Sequence, residues 1–166
     1  MIETERLKLR KIVDEDAPFL LQLFNDPTFI ENINDKGVKT IEQASQFIRE
    51  TIFVSYTTHG YGPYLIQLKS SDEKIGTSGF YKRDQFEYPD IGYALLPHFT
   101  GKGYAFEATN AVLNYGYSAL KLPIVYGITS VENKRSAHLL EKIGLQFKEI
   151  IEYGEEKEPT CFFSSE

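Results

Sequence analysis

Cysteine is nearly absent from this sequence, Cys161 being the only one in 166 residues. An intramolecular disulfide is thereby excluded, which fits a reducing compartment. Histidine is scarce too. His59, His98 and His138 stand far apart, no zinc-ligand spacing arises, and no metal is expected. No stretch of about eighteen apolar residues, the length that spans a membrane, occurs. The opening Met1-Ile2-Glu3-Thr4-Glu5-Arg6-Leu7 is acidic where a signal peptide is basic and then apolar. The expectation is a soluble cytoplasmic protein with no membrane partner. Positive charge is in deficit as well: 18 Lys and Arg face 24 Asp and Glu, for a net charge of −6. That balance argues against a nucleic-acid partner, because phosphate binding rests on clustered cations. It would draw in cationic substrates such as amines, although acidity also serves solubility alone. Repeats, low-complexity tracts and Pro/Gly-rich linkers are missing too, so residues 1–166 read as one domain.

What is present is a strongly apolar chain, 42% hydrophobic and 14% aromatic, well outside the composition of disorder. Leu7 and Leu9 alternate with Arg6, Lys8 and Arg10 in the period-two pattern of a half-buried first strand that runs toward Ile12. Asp14-Glu15-Asp16 supply acid to the start of a helix bearing Phe19, Leu20, Leu23 and Phe24, which Asn25-Asp26-Pro27 stops. A second helix begins near Thr40, a potential cap, with Ala44, Phe47, Ile48 and Ile52 as its stripe. Strands follow at about 64–68, 74–81 and 90–96, and a helix at about 103–120. A strand at 124–129, a helix at 133–143 closed by Gly144, and strands at 146–151 and 160–163 complete a mixed α+β order.

The chemistry-bearing stretch is Pro97-His98-Phe99-Thr100-Gly101-Lys102-Gly103-Tyr104-Ala105-Phe106-Glu107-Ala108, between a strand and a helix. Gly101 and Gly103 permit positive φ, so successive N–H groups can face outward at the first helical turn. Those amides lack intrahelical partners, the helix dipole favours an anion there, and Lys102 adds a full positive charge. A Rossmann fingerprint fails because Phe106 stands where its third glycine belongs, and no Gly-Lys-Ser/Thr completes a P-loop. Taken alone, Gly-Lys-Gly also reads as a tight turn.

Two motifs in order resolve that choice. His98-Phe99-Thr100-Gly101-Lys102-Gly103 resembles the Gln/Arg-x-x-Gly-x-Gly/Ala loop of the GCN5-related N-acetyltransferase (GNAT) superfamily, with His98 replacing its first residue. Downstream, Asn133-Lys134-Arg135-Ser136 and Leu139-Leu140-Glu141-Lys142-Ile143-Gly144-Leu145-Gln146-Phe147 are similar to its Asn-x-x-Ser helix and Glu-Lys-x-Gly-Phe ending. Thr4 to Arg10 resembles the first strand of the ribosomal-protein (RimJ/RimL-type) branch, and the likeness covers nearly the whole chain.

The resemblance implies a GNAT fold. Its mostly antiparallel twisted sheet has six to seven strands with a splayed parallel fourth and fifth pair, flanked by about four helices. It further implies acetyl-CoA as cosubstrate, its pantetheine arm pairing with the fourth strand around Leu95 and Leu96. The diphosphate would lie against His98, Phe99, Thr100, Gly101, Lys102, Gly103, Tyr104 and Ala105, with Asn133 and Ser136 nearby. The acceptor would be a protein N-terminal amine or a small-molecule amine, entering beside the first two helices and the segment from Phe80 to Tyr88. Asp90 stands where the branch often carries a glutamate, making it the candidate base with Glu87 as runner-up. Leu140 occupies the position of the tyrosine that many GNAT enzymes place near the departing sulfur, which leaves Ser136 or solvent to protonate the thiolate. A catalytically silent acyl-CoA sensor on the same fold is the alternative. Cys161 reads as buried and structural, His59 as a bystander, and exposed strand edges with many tyrosines would permit a homodimer.

Overall fold

A computed structural model describes residues 1–166 and places eight strands in one sheet. They are β1 (Ile2–Glu3), β2 (Leu7–Lys11), β3 (Pro63–Leu68), β4 (Lys74–Tyr81), β5 (Asp90–Leu95), β6 (Tyr126–Ser130), β7 (Gln146–Tyr153) and β8 (Glu158–Ser164). Their spatial order is β1-β2-β3-β4-β5-β6-β8-β7. Every neighbouring pair is antiparallel except β5 and β6. The strand beyond the expected six to seven is β1, too short to carry a periodic signal.

Helices cover both faces, which explains why β3 and β4 are buried almost throughout instead of alternating. One layer holds α1 (Ala17–Phe24), α2 (Pro27–Asn32), α3 (Ile41–Phe47) and α4 (Phe53–His59), packed with Ile12 and Leu65 around Leu20, Leu23, Ala44 and Ile48. The other holds α5 (Tyr104–Ser118) and α6 (Lys134–Lys142), whose Ala108, Val112, Leu113, Leu139 and Leu140 meet Ile66, Phe80, Ile91 and Phe163. Close approach is built into β4: a Cβ on Gly79 would lie 2.1 Å from the Gly62 carbonyl oxygen.

Two local readings need correction. Asp26 and Pro27 end α1 but also start α2, since the Asp26 carboxylate accepts from the Thr28 N–H and Pro27 occupies a first-turn position where no amide is missed. The helix capped by Thr40 does not run straight on. A π turn at Ile48–Ile52 joins α3 to α4, and it keeps both Ile48 and Ile52 buried.

Candidate active site

The parallel pair is barely a pair. β5 and β6 register only at Asp90 and Tyr126, where the Tyr126 N–H donates to the Pro89 carbonyl at 2.9 Å. Beyond that point the strands part. Backbone groups alternate sides along a strand; Pro89 bonds toward β6, whereas Leu96 donates to Ile75 on the β4 side at 2.9 Å. The N–H and C=O groups of Tyr93 and Leu95 therefore face the gap. Leu96, whose N–H is already used, contributes its half-buried side chain.

At the open end stands the N-terminus of α5. Gly101 and Gly103 take φ of +76° and +85°, the conformation that glycine permits, and nothing approaches a Cβ position on Gly101 within 4 Å. A 3-10 turn at Pro97–Phe99 precedes them and uses its own polar groups. Phe99 N–H donates to Leu96, and the Thr100 N–H and hydroxyl both reach the Pro97 carbonyl. Phe99 is buried in the α5/α6 core, while His98 is exposed and meets its ring edge-on. The continuous run of free donors begins at Gly101. None of the amides from Gly101 to Phe106 finds a protein acceptor, and Glu107 is the first to bond back, to Gly103. The exposed Lys102 stands among these donors, an arrangement chemically suited to an anion.

This helix start is pinned from the other end of the chain. Glu107 accepts from the Thr4 hydroxyl (2.6 Å), the Arg6 N–H (2.9 Å) and the Arg6 Nε (2.7 Å), while Arg6 also donates to the Lys102 carbonyl and lies over the Tyr104 ring. Desolvation of Glu107 is outweighed by these partners, and its carboxyl is held below the usual range. Spacing arguments missed this tie, because Arg6 and Glu107 are a hundred residues apart.

On the β6 side, Asn133 Oδ1 caps α6 by accepting from the Ser136 N–H at 3.1 Å, leaving the half-buried Ser136 hydroxyl available. Tyr93 is the unforeseen neighbour. With Ile91 and Leu95 it points to the α5/α6 face of β5. Burial raises its phenol above the ordinary value, while the nearby Ser136 hydroxyl and Arg135 act the other way. Strand alternation was the available signal: a tyrosine two residues before Leu95 must share its face.

The two candidate bases lie at the closed end and differ sharply. Asp90 is 2% exposed and gives both carboxylate oxygens to Arg83, at 2.6 and 3.3 Å; Arg83 also donates to the Tyr153 hydroxyl. Desolvation still lifts the Asp90 carboxyl above the usual range, and it pushes the neighbouring Tyr81 phenol up to about 12. Glu87 is exposed on the β4–β5 loop and lines a groove with Phe86, Tyr126 and Phe162. Cys161 is half-buried rather than enclosed, and His59 stacks on Tyr61 away from these groups.

An anion cradle at a helix start, opening onto a gap between parallel strands, accords with the domain that the chain matches over residues 6–146, described as an acetyltransferase (GNAT) domain. The chain belongs to the GNAT acetyltransferase family. Its similarity to the uncharacterized N-acetyltransferase p20 of Bacillus licheniformis is 35% identity over 144 residues, covering 86% of this chain and 80% of that protein. The fold is shared with a RimL ribosomal L7/L12 α-N-protein acetyltransferase in complex with coenzyme A, at TM-score 0.84, 17% identity and coverage of 97% and 94%. It is also shared with a Vibrio cholerae spermidine N-acetyltransferase in complex with CoA and spermine, at TM-score 0.80, 17% identity and coverage of 97% and 95%. GNAT enzymes use acetyl-CoA. The features here fit that cosubstrate: consecutive unpaired amides suit a diphosphate, and unpaired strand groups suit an amide-bearing arm. No helix is long and apolar enough to cross a membrane.

Proposed function

We propose that this chain, acting as one domain, transfers the acetyl group of acetyl-CoA directly to a primary amine within a ternary complex. The observation that carries the reading is the unbroken run of unpaired amides from Gly101 to Phe106, aligned with the gap beside Tyr93 and Leu95. The cradle holds the diphosphate, with Lys102 above it and Asn133 and Ser136 across the gap. Leu95 pairs with the arm, and Leu96 packs against it.

A neutral amine nitrogen attacks the thioester carbonyl carbon, whose oxygen takes up the electron pair opposite a strand amide, Tyr93 or Leu95 being the free donors. The C–S bond then breaks, the amide forms, the amine gives up a proton and the thiolate gains one. Glu87 is the freer of the two carboxylates to accept the amine's proton, through water, since Arg83 occupies both oxygens of Asp90. The Asp90–Arg83 pair fixes the closed end of the gap. Ser136, with Tyr93 beside it, is the hydroxyl placed to return a proton to sulfur.

The acceptors named for the two fold neighbours, a ribosomal protein and spermidine, are both amines. Calorimetric titration with acetyl-CoA, against NAD and ATP as controls, is the test. Micromolar binding of acetyl-CoA alone, followed by thiol release with an amine, is expected; no binding by folded protein overturns the reading.

A further inference from the structure

On the sheet face opposite α5 and α6, where α1 to α4 do not reach, lies the groove that Glu87 borders. Its floor and walls are Gln85, Phe86, Tyr126, Ile151 and Phe162, with Glu149 at the far side, enclosing about 230 Å³. The aromatic rings form a continuous set. Phe86 stacks on Tyr153 (6.0 Å, 13°) and meets Phe162 (5.5 Å) and Tyr126 (5.9 Å), while Tyr126 meets Phe162 at 4.8 Å and Tyr88 at 5.7 Å. The groove starts beside the closed end of the β5–β6 gap, because Tyr126 is the residue registered with Asp90.

We infer that this groove is the acceptor site, and that it selects aliphatic amines carrying a second cationic centre several methylenes from the one acetylated. The inference rests on the acetyltransferase reading above. Aromatic faces attract ammonium groups and shelter methylenes, and the groove's charge is negative at both ends. Neither Glu87 nor Glu149 is in an ion pair. Nearby cations are engaged elsewhere: Lys82 bonds the loop carbonyls of Arg83 and Phe86, Lys148 turns to Gln146, and Arg83 is held by Asp90 and Tyr153. The Tyr126 phenol is raised, chiefly by desolvation and then by the negative charges of Glu87 and Glu166, which places those carboxylates close to it.

The two ends are unlike, and that asymmetry points to a doubly functional amine. At the Asp90 end Glu87 is free of any ion pair, while Arg83 is neutralised by Asp90, so the amine held there has a carboxylate to take its proton. Glu149 registers with Phe162 on β8, which registers with Ile128 on β6, so it sits three strand spacings from β5, roughly 14 Å away. A second ammonium can remain charged there.

The test compares thiol release with an n-alkylamine, the matching diaminoalkane and a short peptide, using wild type and Glu149→Gln. The diamine is expected to have the highest kcat/KM. Glu149→Gln should raise its KM by about fivefold, with kcat, the monoamine KM and acetyl-CoA affinity unchanged. Calorimetric binding of the diamine to the CoA-loaded protein should weaken by the same factor. A peptide or monoamine preferred over the diamine, or an unaltered diamine KM in Glu149→Gln, overturns the groove assignment while leaving acetyl transfer standing. Absence of acetyl-CoA binding or of thiol release with every amine overturns both.

Discussion

Asp16 and Asp90 are two buried carboxylates on the same side of the sheet, and their surroundings drive them in opposite directions. Desolvation pushes each one up. Around Asp16, however, Arg10 binds both oxygens at 2.8 and 3.0 Å, Lys74 lies at 2.8 Å and the Val13 N–H donates at 2.9 Å, so its pKa falls from 3.8 to about 2. Asp90 has Arg83 as its one cation, and desolvation prevails. A depressed carboxylate stabilises the fold above its unfolded pKa and loses that contribution as pH falls through the folded value. For Asp16 the window is about pH 4 down to 2, and the contribution at neutral pH is about 2 kcal/mol. Asp16→Asn should therefore lower unfolding free energy by about 2 kcal/mol at pH 7. In urea titrations at a series of pH values, that deficit should shrink steadily below pH 4; a constant deficit would refute the assignment. Neither ionic partner was legible in the sequence. Arg10 and Arg83 meet their carboxylates only because a strand and a hairpin turn back on themselves.

Among the elements, α5 shows how far a motif alone can be trusted. Glycines at 101 and 103 were legible as positive-φ positions, and both have that conformation. What spacing could not resolve was which loop residues spend their amides internally: Phe99 and Thr100 do so, and the open run starts at Gly101, three residues after the motif begins at His98. Gly103→Pro replaces a φ of +85° with one fixed near −65° and deletes an amide at the cradle. Acetyl-CoA affinity should fall by at least about tenfold, read by calorimetry on protein whose circular dichroism is unchanged. Undiminished affinity in the folded variant would remove the diphosphate from this loop. The π turn between α3 and α4 belongs to the same lesson. Ile48 and Ile52 are four apart and both are buried, but periodicity alone does not separate a straight helix from one with an inserted residue.

Across the whole molecule, a single registered pair, Asp90 with Tyr126, joins the β1–β5 half of the sheet to the β6–β8 part. The gap beyond it leaves unpaired backbone groups that a strand-like ligand would satisfy. Acetyl-CoA should therefore act as a bridge between the two parts. At a ligand concentration of 100 times Kd, unfolding free energy should rise by about 2.7 kcal/mol, which for a chain this size corresponds to a Tm increase of about 5 to 10 °C. Hydrogen exchange at the Tyr93 and Leu95 amides should slow alongside it. A ligand-independent Tm at saturating acetyl-CoA would contradict a site in the gap. The far edge has a different character: β7 exposes Phe147 and Ile150 on one face and Glu149 on the other, as the bulge between Phe147 and Glu149 dictates.

The sequence by itself determined the order of the main strands and helices, the glycine conformations before α5, the Asn133 cap and the family to which the chain belongs. These depend on local periodicity, on the φ a residue can adopt and on motifs a few residues long, all of which are written consecutively in the chain. Tertiary structure alone decided that Arg6 and Thr4 clamp Glu107, that Arg83 closes over Asp90, that Tyr93 stands beside Ser136, and that Phe86, Tyr126, Phe162 and Glu149 share one groove. Each of those meetings joins residues on different elements, and register, crossover and burial set their distances after the chain has folded.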